Sequence, residues 1–80
     1  MNVHLYTLST CPHCDKAKRF FVERAIPFES IDYDLADAGT QARIQAEMEE
    51  AGSAGFPFAR IGRDSVEGFA PERYSELLGG

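Results

Sequence analysis

The chain has 80 residues, of which 44% are hydrophobic and 26% are charged, and its formal net charge is −5. This length predicts a single domain over residues 1–80, and the apolar share is enough for one core, which excludes a disordered chain. The negative charge argues against general nucleic-acid binding, and no apolar stretch approaches the length of a membrane span.

The first third of the chain predicts a strand–helix–strand unit. Val3–Leu8 is a continuous apolar run with β-branched and aromatic members, typical of a strand buried on both faces. A helix is predicted from Pro12 to about Ala25, because proline suits a first helical turn. A second strand is predicted over Phe28–Leu35, and the crossover helix makes the two strands parallel.

The remaining elements follow in the order helix, strand, strand, helix. A second helix begins between residues 37 and 40 and ends before Gly52, a good helix terminator. Phe58–Ile61 and Ser65–Phe69 predict a hairpin of two short strands, and Pro71 opens a last helix. The predicted core side chains on the helices are Phe20, Phe21, Ile44, Met48, Leu77 and Leu78. The sequence therefore predicts an α/β protein of order β-α-β-α-β-β-α.

Cys11 and Cys14 are the only cysteines, and they lie where the first strand gives way to the first helix. Two thiols at Cys-x-x-Cys spacing can close and reopen a small disulfide ring, which indicates thiol–disulfide exchange. The helix N-terminus favours an anion, so Cys11 is predicted to be the nucleophile. Cys14, one turn further, is predicted to be the more buried resolving thiol.

Pro12 and His13 lie between the cysteines and are candidate tuning residues. A partly protonated imidazole beside the Cys11 thiolate stabilises the reduced form, which makes the pair more oxidising. The alternative is that His13 is an exposed residue in a permissive position. His4, within the first strand, is predicted to be a core or edge residue rather than a metal ligand.

The element order with Cys11-Pro12-His13-Cys14 resembles a glutaredoxin with the minimal thioredoxin fold. Tyr6-Thr7, Gly55-Phe56-Pro57 and Gly68 extend the resemblance over nearly the whole chain. It implies a four-stranded mixed sheet flanked by three helices, and a cis-proline loop at Phe56 and Pro57 that faces the cysteines and binds substrate. Gly68 and Phe69 then border the substrate groove, although Phe69 can equally pack inward and Pro57 can end a plain trans turn.

Two departures from the resemblance concern the electron source. Glutathione-using members commonly carry a lysine shortly before the first cysteine, where this chain has Leu8, Ser9 and Thr10. They also carry an aspartate-containing segment after the last strand, which is absent from Glu67–Pro71. That segment is instead similar to small redoxins that donate electrons to ribonucleotide reductase and take them from thioredoxin reductase. The resemblance leaves glutathione and thioredoxin reductase open as reductants.

The predicted function is reduction of protein disulfides or glutathione mixed disulfides through Cys11 and Cys14, with no tightly bound cofactor. The alternative is a dimeric iron–sulfur or zinc module that uses the same cysteines. A structural zinc ion usually has four protein ligands, and one chain supplies only two cysteines. A non-redox interaction domain is a third possibility. Met1-Asn2 lacks the basic start of a signal peptide, so we expect a cytoplasmic protein. We also expect a monomer that acts on disulfide-containing proteins and binds neither membranes nor nucleic acid.

Overall fold

The computed structural model of the protein describes residues 2–79, so positions 1 and 80 of the predicted domain lie outside the described residues. Within residues 2–79 there are four strands and three α-helices in the predicted order. Their bounds are β1 Val3–Thr7, α1 Pro12–Glu23, β2 Glu29–Asp32, α2 Ala38–Glu50, β3 Phe58–Ile61, β4 Asp64–Glu67 and α3 Pro71–Leu77. The predicted α/β class is confirmed.

The four strands form one mixed sheet in the order β2-β1-β3-β4. β1 and β2 are parallel, whereas β1 pairs with β3, and β3 with β4, in antiparallel fashion. Because β3 runs against β1, with Tyr6 opposite Phe58, the chain that follows β1 and the chain that precedes β3 lie at the same end of the sheet. This end carries both Cys11 and Pro57.

Hydrophobic side chains pack on both faces of the sheet, because successive residues of a strand point to opposite faces. Leu5 of β1 lies on the face covered by α1 and α3, and Tyr6 lies on the face covered by α2. The first core contains Val3, Leu5, Ala17, Phe21, Ala59, Ile61, Val66 and Tyr74, and the second contains Tyr6, Ile44, Met48 and Phe58. Of the predicted core residues, Phe20, Leu77 and Leu78 are only partly buried and pack against the first core.

Helix α1 ends at Glu23, two residues before the predicted end, because the chain reverses there. Ala25 has φ +55°, in the left-handed region, and its N–H donates to Val22 O at 3.1 Å. Ile26 N–H donates to Phe21 O at 3.0 Å, and Ile26 packs on the first core. This pattern of two hydrogen bonds is the Schellman motif, which satisfies the last carbonyls of a helix.

Two predicted strands are too long at their C-terminal ends. β2 stops at Asp32, and Tyr33–Leu35 forms a single 3₁₀ turn instead, in which Leu35 is 72% exposed. β4 spans Asp64–Glu67 rather than Ser65–Phe69, because Gly68 has φ +87° and leaves the extended conformation. Both departures place polar or glycine residues at the end of the sheet that carries the cysteines.

Candidate functional site

Cys11 occupies the N-cap position of α1 in an extended conformation, and Pro12 fills the first helical position. The Cys11 sulfur accepts a hydrogen bond from Cys14 N–H at 3.3 Å. A capping side chain normally supplies an oxygen to one of the unpaired N–H groups of the first turn, and here a sulfur takes that place. The positive end of the helix dipole therefore points at the sulfur that is partly exposed.

Cys14 lies one turn further along α1 and is fully buried, as predicted. Its sulfur accepts a hydrogen bond from Leu8 N–H at 3.4 Å. Burial, and then the hydrogen bond with the Cys11 side chain, raise the pKa of the Cys14 thiol to about 12. Leu8 N–H and the Lys18 ammonium act in the opposite direction. Both cysteines carry free thiols, and Cys14 holds its proton more tightly than an ordinary cysteine does.

A carboxylate fixes the loop in front of Cys11. Asp34, in the 3₁₀ turn after β2, accepts hydrogen bonds from Ser9 N–H at 2.9 Å and from the Ser9 hydroxyl at 2.5 Å. These hydrogen bonds lower the pKa of the Asp34 carboxyl, because they favour its charged form. The Ser9–Asp34 pair was not predicted from the sequence, where a serine just before the cysteines and an aspartate just after β2 are its only signals.

A second carboxylate holds a lysine one turn beyond Cys14. Asp32 Oδ1 accepts a hydrogen bond from the buried Thr7 hydroxyl at 2.5 Å and lies 3.3 Å from Lys18 Nζ. Thr7 is fully buried, and this hydrogen bond satisfies its hydroxyl. No functional role was predicted for these residues from the sequence, yet they hold a positive charge close enough to lower the pKa of the Cys14 thiol.

The segment that precedes β3 supplies the second side of the site. The Phe56–Pro57 peptide bond is cis, as the resemblance implied. Pro57 O accepts a hydrogen bond from Gly68 N–H at 2.7 Å, which joins this segment to the end of β4. The Phe56 ring packs against Tyr33, with 5.4 Å between ring centroids. Of the predicted substrate-binding residues, Phe56, Pro57 and Gly68 are thus brought together by direct contacts.

Phe69 packs inward more than it lines a groove. It is partly buried against the first core, and its ring meets Tyr74 edge-on with 6.2 Å between centroids. Tyr74 is fully buried in α3, and its hydroxyl donates a hydrogen bond to Gly68 O at 2.6 Å. Gly68 is therefore held from both sides, by the core through its carbonyl and by Pro57 through its N–H.

The other candidates lie apart or are solvent-exposed. His13 lies between the two cysteines in sequence, and its side chain is exposed. His4 lies towards the opposite end of β1, where its Nδ1 is 3.4 Å from a Glu29 carboxylate oxygen. It is neither the core nor the edge residue predicted, because β1 is paired on both sides and the His4 side chain is 40% exposed. Within the part of the chain that the structure describes, no three histidine, cysteine or acidic side chains converge to hold a metal ion. Likewise, no helix in residues 2–79 has the length and apolar character needed to cross a bilayer.

Comparison with known proteins bears on this arrangement. The glutaredoxin family model matches residues 3–66. The glutaredoxin (grx-1) structure from Archaeoglobus fulgidus is 30% identical and superposes with a TM-score of 0.88 over 99% of this chain and 87% of that one. The glutaredoxin of Methanosarcina mazei Go1 is 26% identical, with a TM-score of 0.92 over 99% of this chain and 79% of that one.

A second kind of redoxin has a similar structure. NrdH-redoxin from Escherichia coli is 26% identical, with a TM-score of 0.80 over 96% of this chain and 95% of its own. Its structure is described as the basis for the thioredoxin-like activity profile of a glutaredoxin-like protein. A search of curated protein sequences gave no match. Both predicted resemblances, to glutaredoxins and to the small redoxins, are confirmed by these structures.

Proposed function

We propose, from the premise that this chain belongs to the glutaredoxin family and is a thiol–disulfide oxidoreductase, that it reduces protein disulfides by a two-cysteine cycle. Cys11 is the attacking sulfur and Cys14 is the resolving one. The observation that carries the proposal is the contrast between a partly exposed sulfur at a helix N-terminus and a fully buried sulfur one turn beneath it. The first can meet a substrate, and the second can meet only Cys11.

The cycle transfers two electrons to the substrate. The Cys11 thiolate attacks one sulfur of the substrate disulfide, which forms a mixed disulfide and releases the other sulfur as a thiolate that takes up a proton. Cys14 then gives up its proton and attacks the Cys11 sulfur. This second step releases the reduced substrate and leaves a Cys11–Cys14 disulfide. An external dithiol or a pair of monothiols must reduce that disulfide before the next turnover.

Substrate binding is proposed for the Phe56–Pro57 segment. It lies at the same end of the sheet as Cys11, because β1 and β3 are antiparallel neighbours. A backbone in this position can pair with an extended peptide in strand-like fashion. Gly68 supports the segment through its hydrogen bond to Pro57 O. Phe69 contributes from beneath through its packing on Tyr74.

We propose thioredoxin reductase, rather than glutathione, as the electron source. The loop before Cys11 carries no lysine to attract the carboxylates of glutathione, and Asp34 instead places a negative charge there. Like charges near a binding path disfavour an anionic ligand. The likeness to NrdH-redoxin, whose activity profile is thioredoxin-like, supports the same choice.

The test is an NADPH-coupled assay of insulin reduction run with two regenerating systems. One contains thioredoxin reductase, and the other contains glutathione with its reductase. We expect turnover with the first and little with the second, and Cys11→Ser is the matched control in both. Faster turnover with glutathione would reject the proposed electron source, and no turnover with either system would reject the carrier function. Absorbance and metal analysis of the fresh protein test the cluster alternative.

The proposal includes one domain over residues 1–80 that acts as a monomer in the cytoplasm. A lone Cys-x-x-Cys pair is typical of redox or metal chemistry in that reducing compartment rather than of a structural disulfide. Size-exclusion chromatography with light scattering tests the monomer, and a dimer mass would contradict it.

A further inference from the structure

The end of β4 contacts the segment that carries Phe56 and Pro57. We propose that Glu67 is a positioning residue, whose carboxylate holds residues 53–57 in place for an extended substrate. This inference rests on the proposed function, because it assumes that this segment binds substrate. Residues 53–57 are called the 53–57 segment below.

Glu67 is bonded to the start of the 53–57 segment by two hydrogen bonds. Its Oε1 accepts from the Ser53 hydroxyl at 2.8 Å and from Ala54 N–H at 3.3 Å. The next residue, Gly68, donates its N–H to Pro57 O at 2.7 Å, at the other end of the segment. Two consecutive residues of one strand end therefore hold both ends of a segment that has no regular secondary structure of its own.

Gly55 is fitted to the same carboxylate. A Cβ atom at residue 55 would lie 2.8 Å from Glu67 Oε2 and 3.4 Å from Glu67 Cδ. A separation of 2.8 Å is too short for two non-bonded atoms of this kind, so an alanine here would push the carboxylate away. The absence of a side chain at Gly55 leaves room for the Glu67 carboxylate where it now lies, with Oε1 on Ser53 and Ala54.

The position of Glu67 in the sheet explains why it is free to take this role. Val66 points into the first core, so the next residue points to the other face of the sheet, where its carboxylate is exposed. Glu67 pairs across the hairpin with Phe58, the first residue of β3, which directly follows Pro57. The carboxylate is thus anchored on a rigid strand and extends to a loop, which is the arrangement that best fixes a loop.

The expected effect falls on binding of extended substrates and not on sulfur chemistry. A segment held in place needs no further ordering when a peptide pairs with the Phe56 backbone, whereas a freed segment must be ordered at each binding event. Cys11 caps α1 and Cys14 lies within it, whereas the hydrogen bonds of Glu67 go to Ser53 and Ala54. A small disulfide that does not pair with the segment should therefore react at an unchanged rate.

The experiment mixes the pre-reduced protein with an excess of insulin, or of bis(2-hydroxyethyl) disulfide, and follows oxidation of the Cys11–Cys14 pair in a single turnover. For Glu67→Ala we expect the half-saturating insulin concentration to rise about three- to tenfold, the effect of losing hydrogen bonds to a charged acceptor. The limiting rate with insulin and the rate with the small disulfide should stay within about twofold of the wild type. Glu67→Gln retains the Oε1 acceptor and should behave like the wild type.

Gly55→Ala is the second variant, because it displaces the carboxylate without removing it. We expect it to raise the half-saturating insulin concentration as Glu67→Ala does, and the double variant to be no worse than either single variant. The Ala54 amide should also exchange with deuterium faster in all three.

Normal insulin binding by Glu67→Ala, or an equal loss with both disulfides, would overturn the inference. Failure of the proposed function itself would be seen differently, since the wild-type protein would then reduce neither disulfide.

Discussion

Cys11 and Cys14 are the same chemical group one helical turn apart, yet their surroundings differ in every respect. Cys11 caps the helix, is partly exposed and faces the N–H groups of the first turn. Cys14 is fully buried between α1 and the end of β1, and burial raises the pKa of its thiol to about 12. Position along one turn of helix is therefore enough to leave one of two identical side chains partly exposed and the other fully buried.

The two sulfurs are supported in different ways as well. The loop before Cys11, the partly exposed cysteine, is held in place by two hydrogen bonds from Ser9 to the Asp34 carboxylate. The buried Cys14 sulfur accepts a hydrogen bond from Leu8 N–H. The Lys18 ammonium, which Asp32 holds in place, lowers the pKa of the Cys14 thiol. In the proposed cycle, deprotonation of Cys14 is therefore expected to be the demanding part, because burial favours the neutral form of this thiol.

The largest expected effect comes from exchanging one cysteine at a time. Cys11→Ser should reduce insulin no faster than a protein-free blank, because the buried Cys14 cannot meet a substrate. Cys14→Ser should attack but not resolve, so substrate should accumulate as a mixed disulfide on Cys11 that mass spectrometry detects. A mixed disulfide on Cys14 in the Cys11→Ser protein would contradict the roles proposed for the two cysteines.

A second test uses the pH dependence of stability. The folded pKa of Cys14, about 12, lies above the ordinary value of 9.0, so the fold favours the neutral thiol. Its contribution to the free energy of unfolding is complete below about pH 9 and is lost as the pH rises towards 12, by at most about 4 kcal/mol.

Urea unfolding of the reduced protein between pH 8 and 11 should therefore show a decline that is shallower in Cys14→Ala. Burial raises the pKa of Tyr6 to about 12, and this residue adds the same decline to both proteins. Burial and the nearby Cys14 charge raise the pKa of Tyr74 to about 12, so the part of its decline that comes from Cys14 is also lost in Cys14→Ala. Equal slopes for the reduced wild type and Cys14→Ala would contradict the assignment.

A smaller effect is expected at Lys18, whose charge lowers the pKa of Cys14 against the effect of burial. Lys18→Met keeps the length of the side chain and removes the charge, so resolution of the mixed disulfide should slow about threefold. Lys18→Arg is the matched control and should stay near the wild-type rate. The measurement is single-turnover release of a coloured thiol from the Cys11 mixed disulfide at several pH values. An unchanged rate in Lys18→Met would show that the Lys18 charge does not assist resolution by Cys14.

The smallest effect is expected at His13, which is exposed beside the cysteines. Under the tuning hypothesis, His13→Ala removes an imidazole whose charged form would favour the reduced pair, so the reduction potential should fall by about 10–20 mV. Equilibration with a glutathione redox buffer and thiol alkylation measure it. His13→Gln, which keeps a polar side chain without the charge, should show the same fall. An unchanged potential in both variants would show that His13 is an exposed residue with no effect on the cysteine pair.

The sequence predicted the parts of this protein that depend on local pattern. The apolar run of β1, the proline that begins α1 and the spacing of Cys11 and Cys14 are each set by neighbouring residues, and all three are found as expected. The resemblance to a known family supplied the cis Phe56–Pro57 bond, which local pattern does not indicate.

The supports of the site could not be predicted in this way. Ser9 pairs with Asp34 across 25 positions, and Glu67 pairs with Ala54 across 13, both between chain segments with no periodicity to mark them. Each pair exists only because the sheet brings distant loops to one end. The early end of β2 has a similar cause, since Tyr33 turns towards Phe56 rather than continuing the strand.

Tyr74 connects the C-terminal helix to the cis-proline segment through Gly68. Its buried hydroxyl binds Gly68 O, and Gly68 in turn binds Pro57 O. Two hydrogen bonds thus link α3 to Pro57, at the end of the sheet that carries the cysteines. With the Phe56–Pro57 segment binding substrate as proposed, a deletion or fusion that unwinds α3 is expected to alter substrate selection while the Cys-x-x-Cys turn stays intact.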